Sequence, residues 1–339
     1  MGHYYIMKMK KLFFVCAAFL FAAVSFAQEE EYTTTLSIIP RLDAVPSFNM
    51  AEKGQRDFNW GNSGLYAELS HSFTDNLSFS MLGLLVNEDP ASLYKNSFRS
   101  DSGNWLAYCT LNYTVGNFEF VIGKDYMQTG GFGYDYDDYN YWFESNNPFQ
   151  LNFVSSGWGA QFYWNSNSEK TRLGLQFMTS PFGERPFASK RFSVLGVWNG
   201  NYGPLSTKWS AGAVQNAEGK FQCLAALGQK LTFGDFWVSF DWLNTSYPLV
   251  SEEGLANGHT FHLEAFKSLT SWMDLTLGAW MVKSRELSET PYNVYGRLEF
   301  FPIKDNRNLR IHLNTGWDGL GQNLYANAGA TYFLEFNWK

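Results

Sequence analysis

The residues of this chain that could do chemistry are mostly carboxylates and cations at alternate positions; histidines and cysteines are few. Beyond residue 27 the histidines are His71, His259, His262 and His312. Hydrolytic chemistry would need one of them beside a Ser or Thr nucleophile and an orienting acid or amide. Gly258-His259-Thr260-Phe261-His262 holds the one close pair, and a spacing of three on an extended chain turns the two rings to opposite faces. Glu264 stands two positions from His262, which makes two ligands where a metal site needs three or four. Cys109 and Cys223 have no second Cys or His at ligand spacing and read as small apolar residues. Gly130-Gly131-Phe132-Gly133 lacks the Lys and the following helix of a phosphate-cradling loop. These patterns imply no catalytic site, no metal and no cofactor.

What the charges can do instead is set a field across a passage. Residues 127–156 carry Asp135, Asp137, Asp138 and Glu144 among many aromatics, and no Lys or Arg occurs between Lys124 and Lys170. A segment of this length without its own periodicity is functional or disordered, and its Tyr, Trp and Phe content argues that it packs. Folded inward, it would bring its acids to a constriction. Left outside, the same acids would form a surface patch able to hold a divalent cation. A second set of charges lies on segments of alternating polarity: the basic Arg41, Arg172, Arg191, Lys208, Arg297 and Arg310, and the acidic Glu68, Glu119, Asp125, Asp241, Glu264 and Glu299, with Asp43 and Glu335 beside them.

The elements that must position these charges are strands. From Leu324 onward, Leu324, Ala326, Ala328, Ala330, Tyr332, Leu334, Phe336 and Trp338 share one face, while Asn327, Thr331, Glu335 and Asn337 share the other. Side chains alternate across a strand, so this is one apolar and one polar face. The division recurs in Trp105-to-Tyr113 and in Leu309, Ile311, Leu313 against Arg310, His312, Asn314. About sixteen such segments follow from the periodicity: 33–43, 63–72, 77–86, 104–114, 117–126, 157–165, 170–179, 190–198, 206–214, 221–229, 235–243, 259–266, 273–283, 293–301, 308–317 and 323–337. The gaps between them alternate, long then short. Strands of nine to eleven residues, short turns at one end, long loops at the other and Trp and Tyr near strand ends are the pattern of a transmembrane antiparallel β-barrel. In lipid every backbone donor and acceptor must be paired internally, which for a sheet requires closure. Arg or Lys on the lipid side at mid-depth would cost about 2–4 kcal/mol, so the charged positions belong on the inner wall.

Composition agrees. The 339 residues carry 25 basic and 32 acidic side chains, a net charge of −7, and 31 Phe, 19 Tyr and 13 Trp. Such aromatic content excludes a disordered chain, and an acidic balance with no basic face excludes a nucleic-acid partner. Lys8, Lys10 and Lys11 precede an apolar stretch from Leu12 to Phe26 that ends in Ser25-Phe26-Ala27. That is the layout of a cleaved secretory signal peptide over residues 1–27, with the barrel occupying 28–339. Its removal takes three Lys and no acid, so the net charge becomes −7 − 3 = −10. Residues 28–32 leave no room for a plug domain before the first strand.

Val121-Ile122-Gly123-Lys124-Asp125-Tyr126 followed by Gly130-Gly131-Phe132-Gly133-Tyr134-Asp135 resembles the end of the fifth strand and the constriction loop of the phosphate-selective porin O and P group. The resemblance implies a sixteen-stranded, often trimeric passive channel in a Gram-negative outer membrane, in contact with lipid and open to small hydrophilic solutes or ions. Selectivity for phosphate is not implied, because the loop carries acids where that group has a basic constriction. The alternative architecture is the same barrel plugged or given to partner binding, and a membrane-embedded hydrolase is the remaining class.

Overall fold

The computed structural model describes residues 33–338 apart from 51–54, 60–62, 88–105, 134–155, 183–189, 246–253 and 286. Every regular element among them is a strand. The first half of the chain forms β1 (Thr34–Asn49), β2 (Gln55–Asn59), β3 (Gly64–Thr74), β4 (Leu77–Asn87), β5 (Leu106–Val115), β6 (Phe118–Tyr126), β7 (Ser156–Asn165), β8 (Thr171–Thr179) and β9 (Phe192–Tyr202). The second half forms β10 (Leu205–Gln215), β11 (Phe221–Phe233), β12 (Phe236–Thr245), β13 (Asn257–Thr270) and β14 (Met273–Lys283). It ends with β15 (Tyr292–Phe300), β16 (Leu309–Asp318), β17 (Asn323–Tyr332) and β18 (Leu334–Trp338).

From β3 to β17 consecutive strands pair antiparallel, and β1 closes the sheet by pairing with β2 and β3 on one edge and β17 and β18 on the other. β17 and β18 keep a single register against β1, from Arg41↔Thr331 to Ile38↔Leu334. Their break falls where Pro40, which has no N–H to give the ladder, stands between those two stretches. β2 and β3 likewise share one edge of β1. The eighteen segments therefore make a closed barrel of sixteen staves, as the periodicity predicts, with bounds close to those expected. β2 is the exception: Gln55-Arg56-Asp57-Phe58-Asn59 has no apolar alternation to announce it, and only pairing with the far end of β1 makes it a strand.

At one end the staves are joined by two-residue turns such as Gly116-Asn117, Gly203-Pro204 and Gly234-Asp235. Their glycines take φ of +55°, +71° and +60°, the left-handed geometry whose twist matches a hairpin. The outer face presents a band of large apolar side chains, among them Ile122, Leu175, Phe240, Leu263, Leu277 and Val294. Alternate positions turn inward and are buried: Asp43, Gln176, Asp241, His262, Thr276, Asn293 and His312. The inner wall is not wholly polar. Met178, Leu195, Val214, Leu224, Ala226 and Leu243 form an apolar cluster on the β8–β12 side, closed by Met127 and Phe182.

Candidate functional site: the inner wall and the loop laid on it

Three groups of charged and polar side chains stand on the inner wall. In the first, Arg41 holds Asp43 through Nη2 at 2.8 Å and Nε at 3.0 Å. His312 on β16 reaches the other Asp43 oxygen at 2.8 Å. It reaches across β17 because Gly329 lies between them in the register; any Cβ there would overlap both groups. Glu299 on β15 receives Arg297 at 3.4 Å and Arg310 at 3.7 Å, and Arg297 also donates to Thr276 at 3.0 Å. A buried ion pair of this kind stabilises only when its remaining hydrogen-bonding capacity is met, and a network does that.

In the second group Tyr295 of β15 lies over Gly278 of β14, where a Cβ would fall inside its ring. Its hydroxyl donates to Glu264 at 2.7 Å and meets His262 Nε2 at 2.7 Å, both on β13. His262 Nδ1 in turn faces Asp241 of β12 at 3.5 Å. The third group belongs to β6–β8: Arg172 pairs with Glu119 at 3.1 Å and covers the Tyr163 ring at 3.7 Å. Gln161 donates to Asp125 at 2.6 Å and accepts from Gln176 at 2.7 Å. Tyr163, whose ring lies over Gly174 of β8, completes the set by donating to Gln161.

After β6 the described residues 127–133 stay inside the barrel. They fold inward and cross the wall strand by strand. Met127 packs into the apolar cluster beside Met178 and Leu195. Gln128 N–H donates to Gln176 Oε1 at 3.0 Å, and Asn199 of β9 reaches its side chain at 3.4 Å. Gly131 N–H donates to the Lys208 carbonyl of β10 at 3.0 Å. Phe132 and Gly133 then give both N–H groups to the Asp241 carboxylate, at 2.8 and 2.7 Å. Gly130 and Gly131 have φ of +78° and +89°, which lets the chain lie flat, and Gly228 beneath them has no side chain to hold it off. Lys208 and Lys230 stand 5.4 and 4.6 Å from the Phe132 ring centre. The glycine-rich run is thus an anchor for a loop laid on a wall.

Arg297 and Arg310 stand on the adjacent staves β15 and β16 and share Glu299; Arg41 stands on β1, one stave further, with Thr331 of β17 between it and Arg310 in the register. Arg172 stands apart, near the two-residue turns. Arg191 precedes β9 at the long-loop rim, its guanidinium donating to the Ala217 carbonyl at 2.9 and 3.2 Å. Lys208 lies under the loop. Of the acids, Glu119, Asp125, Asp241, Glu264 and Glu299 take the partners just given, and Glu68 accepts from Tyr108 at 2.6 Å. Asp135, Asp137, Asp138 and Glu144 lie outside the described residues, as does the segment 1–27. His259 and His262 do face opposite sides: His259 stacks on Trp242 at 5.8 Å while His262 is buried inside. His312, His262, Tyr295 and Lys230 escaped sequence reasoning as parts of a site. For His312 and Tyr295 the signal was inward parity opposite a glycine on the next strand.

Outside the staves the electrostatics are those of exposed turns. Lys267 donates to Asp235 at 2.6 Å and holds its carboxyl below the ordinary aspartate value. Lys220 does the same for Glu218 at the long-loop end. Both pairs are open to water, where an ion pair is worth little. No group of three or more His, Cys, Asp or Glu able to hold a metal ion occurs among the described residues.

No protein-family model matches the sequence, and no curated protein matches it. The fold is nonetheless shared with solved barrels. An anion-selective porin from Comamonas acidovorans superposes with a TM-score of 0.64 at 12% identity, over 90% of this chain and 100% of that one. A loop L8 deletion mutant of OmpT, an outer membrane protein of Vibrio cholerae, gives 0.62 at 12% identity, over 90% and 100%. Salmonella typhi OmpF, in complex with daunomycin, gives 0.58 at 11% identity, over 88% and 97%. At such identities the likeness is one of fold: a closed sixteen-stranded antiparallel barrel of the porin kind.

Proposed function

We propose that this chain is an outer-membrane porin, exported with cleavage of residues 1–27, that passes small hydrophilic solutes and ions through the barrel by passive diffusion. The observation that carries this reading is the inward course of residues 127–133. A loop that turns into the lumen and runs along the wall narrows a passage without filling a sixteen-stranded barrel, which is wide enough for water. The apolar outer band supports a lipid environment, since water would penalise a ring of exposed Leu, Ile and Phe. In a Gram-negative cell the two-residue turns then face the periplasm and the long loops the exterior.

In this reading Asp135, Asp137, Asp138 and Glu144 continue the loop into the constriction. Arg41, Arg297 and Arg310 form the basic wall opposite, and the remaining wall charges line the path above and below. Opposed walls of charge select ions by the field between them. The three arginines are paired with Asp43 and Glu299, so the four loop acids leave the constriction net negative and the channel prefers cations. A homotrimer is the assembly that the trimeric form of OmpT, a protein of shared fold, suggests. Phosphate is not proposed as the solute.

The rival classes are a plugged barrel and a membrane-embedded hydrolase. Against the second stands the hydrogen-bonding of His262, whose Nε2 meets a tyrosine hydroxyl already given to Glu264 rather than a serine or threonine. The deciding experiment is single-channel recording of the refolded mature chain in planar bilayers under a salt gradient. Stable steps with a cation-positive reversal potential are expected. An anion preference would transfer selectivity to the arginine wall, and a folded barrel that never conducts would end the channel reading.

A further inference from the structure

We infer that Asp241 is the positioning residue that fixes the inward loop, and through it the shape of the passage. This rests on the channel reading above only for its effect on conductance. The contact itself is independent of it. Both carboxylate oxygens of a fully buried Asp241 are given to the loop: Oδ1 accepts from Phe132 N–H at 2.8 Å and Oδ2 from Gly133 N–H at 2.7 Å. Hydrogen bonds from backbone N–H to a carboxylate are about twice as strong as neutral ones. Phe132 and Gly133 end the described part of the loop, seven residues after the last residue of β6.

The surroundings are arranged for this contact and no other part of the wall repeats it among the described residues. Gly228, opposite Asp241 in the β11–β12 register, clears the floor: a Cβ there would stand 2.5 Å from Gly131 Cα and 2.8 Å from Asp241 Oδ1. The Lys208 carbonyl takes the preceding N–H. Phe132 is drawn between Lys208 and Lys230, and its ring is buried. His262, 3.5 Å behind Oδ2, with Tyr295 and Glu264 beyond it, ties the carboxylate to β13 and β15. Removing the carboxylate charge takes the charged acceptor from Phe132 and Gly133, while Met127, Gln128 and Gly131 keep their own contacts to the wall.

The test uses two variants of the full mature chain, Asp241→Asn and Gly228→Ala. The first weakens the acceptor, and the second drives the loop and the carboxylate apart from beneath while keeping the carboxylate's charge. Folding is verified by heat-modifiable migration. Amide hydrogen exchange is then read at Phe132 and Gly133, and single-channel traces are recorded. Protected amides are expected in the native chain, with exchange about tenfold or more faster in both variants, the loss of about one charge-assisted hydrogen bond. The native single conductance level should break into several rapidly exchanging levels. Native-like exchange in both folded variants would overturn the assignment, as would unprotected Phe132 and Gly133 amides in the native chain, a measurement that stands even if Asp241→Asn does not fold. A native chain that shows protected amides but no conductance would instead remove the channel reading and leave the anchor standing.

Discussion

Gly278→Ala is the substitution whose cost follows most directly from the wall. The added methyl would fall inside the Tyr295 ring, so the ring must leave the face of β14. Its hydroxyl then abandons Glu264 Oε2 and His262 Nε2, each now at 2.7 Å. A buried polar group left short of a partner costs about 1–3 kcal/mol, and two such groups give about 2–6 kcal/mol, before any loss of ring packing against Trp280 and Val282. Tyr295→Phe keeps the ring but leaves the same two groups short of a partner, so it should cost about 2–6 kcal/mol, less than the glycine change only by the ring packing. The double variant should therefore fall well short of the sum, because both changes break the same contacts. Gly196→Ala is the control: its nearest neighbour is the Ala211 carbonyl oxygen at 3.6 Å, so it should change stability by less than about 0.5 kcal/mol. The assay is reversible urea unfolding in lipid vesicles followed by tryptophan fluorescence. Equal stabilities for Gly278→Ala and Gly196→Ala, or strict additivity with Tyr295→Phe, would refute the notion that glycines open the wall to cross-strand side chains.

Replacing Asp135, Asp137 and Asp138 together with Asn should shift the reversal potential in a salt gradient toward zero without altering fold, as near-ultraviolet circular dichroism can verify. Leu175→Arg, on the outer face at the middle of β8, should cost about 2–4 kcal/mol in vesicle unfolding, the depth-dependent price of a guanidinium facing lipid. Arg41→Gln removes one partner of a fully buried pair and should destabilise by about 3–5 kcal/mol, measured in the same unfolding assay. Lys267→Met should raise the Asp235 carboxyl toward its ordinary value, since the lysine hydrogen bond is the largest cause of its lowering. That carboxyl is held low in the folded chain by the lysine, so its small contribution is present above the ordinary aspartate range and lost as pH falls through the lowered value; carbon-detected NMR titration reads it, and an unmoved titration would sink the assignment.

The barrel was legible in the residues themselves because its determinants are local. Leu324 to Trp338 announce a two-faced strand, and gaps that alternate between long and short announce tight turns at one end. Sixteen strands alternating in that way, with long and short connections, have one closed arrangement that pairs every backbone group. The inward parity of Arg41, Asp241, Glu264, Arg297 and Arg310 came from the same period of two. What alternation could not supply was reach. Whether His312 touches Asp43 depends on strand register and on Gly329 standing between them, and neither is encoded in either strand alone. The same holds for Tyr295, which crosses Gly278 to find His262, and for β2, which is a strand only against β1. Residues 130–133 resemble part of a constriction loop in sequence, but what holds them was not legible until the wall supplied Gly228 beneath them and Asp241 more than a hundred positions away. A period fixes which side a residue faces because that is set by its own backbone. Its partner is set by how distant strands are staggered when the sheet closes, and only the closed barrel decides that.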